Sequence, residues 1–256
     1  MNWELNLKKE MLKEFRADLH IHTCLSPCTD FEMAPGRIIK KCKDSKLNII
    51  AICDHNSSEN VDAIMKAACE ENIHVIPGME ITSKEEVHIL ALFKNKENVL
   101  KFQDIVYKNL PGKNQEDLYG LQVIVNEKGE ILGFNQKLLI GATTLSVEDI
   151  VYYIHIYDGI AIASHVDREA FSIIGQLGFV PPGLKLDALE FSPKISYQEA
   201  RKKFNYDFPF VCFSDAHYLE EIGKGVTTFL IKKADIDEIK KALRKEEGRK
   251  IIWENV

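Results

Sequence analysis

Residues 16–22 read RADLHIH, with Ala17, Leu19 and Ile21 alternating against Asp18, His20 and His22. Such alternation predicts a half-buried strand, and residues two apart on a strand project from the same face. His20 and His22 can therefore grip one ion between them. An isolated His-x-His is more often a pair of solvent-facing or hydrogen-bonded histidines. Its meaning here depends on whether the rest of the chain repeats the device.

The repetition is extensive. LNIIAICDH (47–55) is a continuous apolar run, predicted to be a buried strand, that ends on Asp54 and His55. HVIPGMEITS (74–83) carries Glu80, GIAIASH (159–165) ends on His165, and FPFVCFSDAH (208–217) repeats the opening device as Asp215-Ala216-His217. VHILALF (87–93) is the exception, because His88 sits early in it; that strand must run differently or start near the site. DALEFS (187–192) and GVTTFLI (225–231) complete the predicted strands, with helical segments at 37–46, 60–72, 97–110, 147–157, 196–203 and 235–246. A helical arm is expected ahead of residue 16. Between about 112 and 145 the rhythm breaks, and GLQVIVNEKGEILGF (120–134) predicts a hairpin turning at Glu127 to Gly129 inside an insertion. Strand and helix in alternation, without a glycine-rich dinucleotide fingerprint, favour an α/β fold of the (β/α) barrel type over a doubly wound sheet. In such a barrel the C-terminal strand ends meet at one mouth, where active sites are built.

Bulk properties narrow the chemistry. The 256 residues suit one barrel domain spanning 1–256, and 45% hydrophobic content is enough for a real core. A formal charge of -6 argues against broad attachment to nucleic acid or an anionic membrane. No apolar run approaches the roughly 20 residues of a membrane span, and the first residues are charged rather than signal-like, so the expected location is cytoplasmic. The six cysteines lack CxxC spacing, so a metal here must be held mainly by histidine and carboxylate.

Of the 8 histidines, His74 and His155 fit a surface or helix position; the others are His20, His22, His55, His88, His165 and His217. Clustering them without a shared purpose would cost several kcal/mol in buried polar groups, a cost that shared metals offset. Imidazole and carboxylate suit zinc, manganese or iron. A bridging carboxylate such as Glu80 can hold two ions about 3.5–4 Å apart, which activates a bridging water for in-line displacement, and phosphoester hydrolysis is the natural chemistry.

DLHIH (18–22), CDHN (53–56), GMEI (78–81) with His88, SH (164–165) and SDAH (214–217) together resemble the motifs of the PHP (polymerase and histidinol phosphatase) family, in order along nearly the whole chain. That resemblance implies a distorted (β/α)7 TIM-like barrel with a di- or trinuclear centre of two or three divalent ions. It assigns one ion to His20, His22, Glu80 and Asp215, a second to Glu80, His88 and His165, and a third to His55, His217 and one residue of the loop CLSPCTDFEMAP. Asp30 is the expected ligand from that loop, with Cys28 its rival. His55, His217 and Arg168 are the expected catalytic residues, Arg168 holding phosphate from the loop after His165. Asp18 either orients a ligand or caps a buried ladder group, and Asp54 is placed to orient His55 or another ligand.

The implied activity is hydrolysis of phosphomonoesters, on a small or nucleotide-derived substrate that includes a nucleotide or an oligonucleotide end, by a metal-bridging hydroxide. Histidinol phosphate phosphatase and an exonuclease-like phosphodiesterase are rivals within the same chemistry. A non-catalytic metal-binding regulatory domain is the rival from another class, and amide hydrolysis in a related metal barrel is a further alternative.

Overall fold

A computed structural model describes residues 11–253. In chain order its elements are β1 (Lys13–Ile21), α1 (Pro35–Asp44), β2 (Ile49–Ile52), α2 (Val61–Ala67), β3 (His74–Thr82), β4 (His88–Leu92), α3 (Lys96–Lys108), α4 (Glu116–Tyr119), β5 (Val123–Val125), β6 (Ile131–Phe134), α5 (Val147–Ile156), β7 (Ile160–Ala163), α6 (Ile173–Leu177), β8 (Ala188–Phe191), α7 (Tyr197–Lys203), β9 (Phe210–Cys212), β10 (Thr227–Ile231), α8 (Ile236–Leu243) and β11 (Lys250–Ile252).

Nine strands share one sheet in the order β11-β10-β1-β2-β3-β4-β7-β8-β9. Pairing is parallel between β1 and β2, β2 and β3, β7 and β8, and β8 and β9. The sheet curls until the segment past β9 meets β1. Just past β9, Ala216 N donates to His20 O at 3.1 Å and Ala216 O accepts from His22 N at 3.0 Å, so the segment carrying Asp215 is bonded back to β1. The result is a distorted barrel. Its main distortion is β4, which pairs antiparallel with both neighbours. Reversal is what lets His88, at the start of β4, lie opposite Thr82 at the end of β3. The odd position of His88 in its strand thus has a topological cause.

β10 and β11 extend the sheet beyond β1 in antiparallel register, with Lys13 opposite Ile231 and Phe15 opposite Phe229. Residues 13–15 are therefore strand, where a helical arm was expected; the rest of that arm, through residue 10, lies outside the described residues. Cross-strand pairing captures the segment and overrides its local helical pattern.

One apolar cluster takes Leu19, Ile49, Ile76, Leu90, Ile162, Ala188 and Val211, from seven different strands. Side chains from so many strands can meet only on the face they share inside the curl. Ile236 and Ile239 of α8 join this cluster and plug the barrel on the side away from the histidines. The other helices cover the outside. α1 begins with Pro35, whose fixed φ suits a first turn, and buries Ile38, Ile39 and Cys42 at helical spacing. α5 is fixed at its start by a reciprocal cap between Ser146 and Asp149. Each fully buried aliphatic or aromatic side chain stabilises this arrangement by ~1.5–3 kcal/mol. Among the described residues no helix is long and apolar enough to cross a membrane.

The hairpin of the 112–145 segment is β5 and β6, joined at Asn126 to Glu130. It is bolted down by buried amides rather than by a large apolar face. Asn60 donates to Val123 O and accepts from Val125 N, both at 3.0 Å, while Asn56 donates to Leu139 O at 2.7 Å and Gly141 O at 2.8 Å. Both asparagines belong to the loop that follows His55, so the hairpin is tied to one wall of the mouth.

Candidate metal centre

The strand ends that carry His20, His22, His55, Glu80, His165, Asp215 and His217, and the strand start that carries His88, bring these side chains to one place. Glu80 is buried, with an oxygen 3.3 Å from His20 Nε2, 3.5 Å from His22 Nε2, 3.2 Å from His55 Nδ1, 3.0 Å from His88 Nδ1 and 3.4 Å from His165 Nε2. Asp215 Oδ1 lies 3.1 Å from Nε2 of both His20 and His22. His217 packs its ring 4.2 Å from that of His22. His20 and His22 reach the same carboxylates because they are two apart on β1. His55 and Glu80 meet through a parallel bridge continuing the β2–β3 pairing.

Apart from the bond between His22 Nε2 and Asp215 Oδ1, this closeness is mostly not hydrogen bonding. His20 Nε2, Nδ1 of His55, His88 and His165, and both Glu80 oxygens are buried yet have no hydrogen-bond partner. Leaving a buried polar atom unpaired costs about 1–3 kcal/mol, and six such atoms on Glu80 and the histidines beside it would be a heavy burden for a fold of ordinary stability. A cation offsets it. The donors form three sets whose atoms lie within 4.8 Å of one another: His20, His22, Glu80 and Asp215; His55, Glu80 and His88; and His22, His55 and His217. Nitrogen and carboxylate oxygen in these numbers fit divalent ions.

The ring nitrogens facing away from Glu80 explain how the donors are aimed. His20 Nδ1 donates to both oxygens of Glu190, at 3.0 and 3.1 Å, and a carboxylate can only accept. That fixes the tautomer and turns the lone pair of Nε2 toward Glu80. Ser26 does the same for His22. Its hydroxyl donates to Asp54 at 2.7 Å, so it must accept from His22 Nδ1 at 3.0 Å, and it also accepts from His55 N at 3.2 Å. Asp54 accepts in addition from Thr23 N and Oγ1, both at 2.7 Å, and so acts on His22 through a serine. His217 Nδ1 donates to Asp215 O at 2.9 Å. Asp18 caps backbone: it accepts from Ser214 N at 3.0 Å and Gly223 N at 2.9 Å, holding the two ends of the loop that carries Asp215 and His217.

Electrostatics follow the same map. Burial raises the proton affinity of Glu80, but His88 and His20 outweigh it and hold the carboxyl well below its usual range. Burial pushes His22 down to about 4 and Asp18 up to about 6. For His20, burial is opposed and overcome by Glu190, Asp215 and Glu80, which keep its proton affinity well above normal. Arg168 Nη1 bonds Asp215 Oδ2 at 2.5 Å.

Over the donors opens a cavity of about 270 Å³ lined by Cys28, His55, Glu80, His88, Ile140, His165, Arg168, Ala170, Phe171, Asp215 and His217. Four of the nine non-glycine residues with positive φ among the described residues lie at or beside it: Asn56 (φ 49), His165 (φ 29), Phe171 (φ 58) and Asp215 (φ 50). Such strain concentrates where surrounding structure enforces a functional geometry.

Of the expected ligands, Asp30 is not brought to the cluster. It is exposed, and its Oδ1 accepts from Glu32 N at 2.8 Å in a local turn; Cys28 lines the cavity instead. The cause is the loop fold, in which Thr29 donates to Thr23 O and Ser26 O and turns the chain outward before Asp30. The donor sets also differ from expectation, since His55 joins Glu80 and His88 where His165 was expected, and His22 joins His55 and His217. His74 is exposed at the start of β3, and His155 bonds Asp187 at 2.9 Å, as positions outside the site require. Glu190 and Ser26 escaped sequence reasoning. The one available signal for Glu190 was an acid near the end of an otherwise apolar buried strand, DALEFS.

The chain is 24% identical over 221 residues to an uncharacterized protein of Methanocaldococcus jannaschii, covering 84% of this chain and 70% of that one. It is 32% identical to a 5'-3' exoribonuclease of Haemophilus influenzae over 78 residues, 29% of this chain and 27% of the enzyme. Among solved structures, the lesion-specific endonuclease Q of Pyrococcus furiosus superposes with a TM-score of 0.65 at 20% identity, over 93% of this chain and 58% of the endonuclease. A Bifidobacterium adolescentis protein described as a metal-dependent phosphoesterase gives 0.56 at 17% identity, over 90% and 96%. The chain thus spans little more than half of the endonuclease and about a quarter of the exoribonuclease. A family model described as PHP-associated matches residues 199–247, and that of the PHP domain matches residues 18–176, from the first histidine motif through the Arg168 loop: the chain belongs to the PHP domain family.

Proposed function

We propose that this chain is a metal-dependent hydrolase of phosphomonoesters, acting on small or nucleotide-derived substrates with a di- or trinuclear centre, and that residues 1–256 work as one unit. The observation that carries this reading is the buried Glu80, ringed by five imidazoles with its oxygens unpartnered and facing a cavity that also holds Arg168. When bound, divalent ions supply an activated water and spread the charge that develops on the phosphoryl group. The chain's own residues do the rest. Arg168 is the cation placed to orient the phosphate; Asp215 holds its Nη1, and its Nε is buried without a partner. His55 and His217 border the cavity and are the groups placed to pass a proton to the leaving oxygen.

The printed activities of the relatives, an endonuclease and an exoribonuclease, support a second reading in which the substrate is a nucleic-acid end and the bond a phosphodiester. The formal charge of -6 and the small cavity favour the phosphomonoester. The test is a panel of phosphomonoesters, nucleotides, short oligonucleotides and amides assayed with manganese, zinc and iron, beside metal analysis of the purified protein. Metal-dependent release of phosphate that is lost in His22→Ala is the expected result. Cleavage of amides alone, or no metal-dependent turnover, would sink the proposal.

A further inference from the structure

The metal cluster accounts for the floor of the cavity but not for its rim. The loop between β7 and α6 is folded tightly on itself: Arg168 N donates to His165 O at 2.9 Å, Ser172 Oγ donates to Arg168 O at 2.6 Å and accepts from Gly175 N at 2.9 Å. At its crest Phe171 sits at φ 58 while 42% exposed. A bulky residue in that region costs on the order of 1–3 kcal/mol, and an exposed ring recovers little of it by burial. Two contacts hold it there. Its carbonyl accepts from His88 N at 2.8 Å, and its ring stacks on the His88 imidazole at 4.7 Å with 19° between the planes. Another exposed apolar side chain on the cavity, Ile140, is 38% exposed and sits in the segment pinned by Asn56.

The cavity's 270 Å³ is below the roughly 300–1,000 Å³ of sites that enclose a drug-sized ligand. It must take the ions as well as the phosphate, so a large part of any bigger substrate rests on this rim. We propose that the exposed part of the Phe171 ring, backed by His88 and flanked by Ile140, stacks the base of a nucleotide whose terminal phosphate lies between Arg168 and the metal donors. An aromatic ring already stacked on an imidazole extends the stack by one more planar ring without reordering itself, and base stacking tolerates any sequence because every base has a π-face. The shared chemistry is a base beside a terminal phosphate, whether on a mononucleotide or at the end of a strand. This inference rests on the phosphoesterase reading above.

Two measurements keep the ideas apart. Calorimetric binding of adenosine monophosphate, of a 5'-phosphorylated dinucleotide and of glycerol phosphate to the metal-loaded protein needs no turnover. Phe171→Ala should weaken binding of whichever nucleotide the protein prefers by roughly 10-fold or more relative to glycerol phosphate, and Phe171→Trp should restore it. In hydrolysis, the ratio of kcat/KM for the nucleotide over glycerol phosphate should fall by a similar factor in Phe171→Ala, through KM. Equal losses for nucleotide and glycerol phosphate, or no loss for either, would overturn the stacking proposal. Absence of hydrolysis with intact, Phe171-dependent nucleotide binding would instead overturn the phosphoesterase reading alone.

Discussion

Replacing Glu190 by glutamine isolates the contribution of one buried carboxylate to the metal centre. Glu190 is almost inaccessible, touches His20 Nδ1 with both oxygens and accepts from His165 N at 3.2 Å. Glutamine keeps the shape and one acceptor while removing the charge, so the fold should survive and the effect should appear in metal affinity. Losing such a partner of a ligating imidazole typically weakens binding ~10- to 100-fold, or about 1.4–2.7 kcal/mol. A proton competes with the metal for the same ring. Burial alone would depress the proton affinity of His20, but Glu190 first, then Asp215 and Glu80, raise it well above normal. Removing Glu190 therefore weakens the competing proton as well as the metal, so the deficit of Glu190→Gln should be smaller at about pH 6 and larger at about pH 8. Competition for zinc or manganese against a chromophoric chelator at both pH values measures this. Metal affinity equal to that of the unaltered protein at the higher pH would refute the role assigned to Glu190. Glu190→Ala should in addition lower the urea midpoint, because two buried donors lose their acceptor at about 1–3 kcal/mol each.

Three other outcomes follow from the geometry. Asp30→Ala should leave metal content unchanged and alter stability by no more than about 0.5 kcal/mol, since Asp30 is exposed in a turn; loss of one metal equivalent by elemental analysis would contradict this. Asn60→Ala strips Val123 O and Val125 N of their partner and should lower the urea midpoint by the equivalent of about 1–3 kcal/mol while making 120–135 more susceptible to protease. Hydrogen bonds from Arg249 hold the Glu238 carboxyl below its ordinary 4.5, so the pair's contribution is present above that value and lost as pH falls through it. Glu238→Gln should accordingly flatten the decline in urea midpoint between about pH 5 and about pH 3, below the unfolded value and through the lower folded one, and an unchanged slope would count against it.

What could be read from the sequence was what depends on short-range geometry. His20 with His22, and Asp215 with His217, were legible because a strand puts residues two apart on one face, and strand ends were legible because apolar runs stop there. Antiparallel β4 was hinted at by the early position of His88 alone. The loop 23–33 was not legible, because its shape is imposed from Asp54, 31 residues from Thr23, through Thr23 and Ser26. Hence the sequence could not choose between Asp30 and Cys28: both are chemically able, and only a distant carboxylate decides that Cys28 faces the cavity while Asp30 turns outward. Left-handed Asn56, His165, Phe171 and Asp215 make the same point in another form. Nothing in the local propensity of asparagine, histidine, phenylalanine or aspartate demands that conformation, so sequence rules assign them ordinary backbone. Lys46, Glu86, Asp158, Lys245 and Glu247 adopt the same conformation elsewhere, but these four stand beside the donors, where a site held in place by its surroundings should show such disagreement. Relieving that strain is therefore expected to stabilise the fold while damaging the site. Asp215→Gly, which removes both the steric penalty and a donor, should lose metal while recovering part of the stability that removal of a buried carboxylate would otherwise cost.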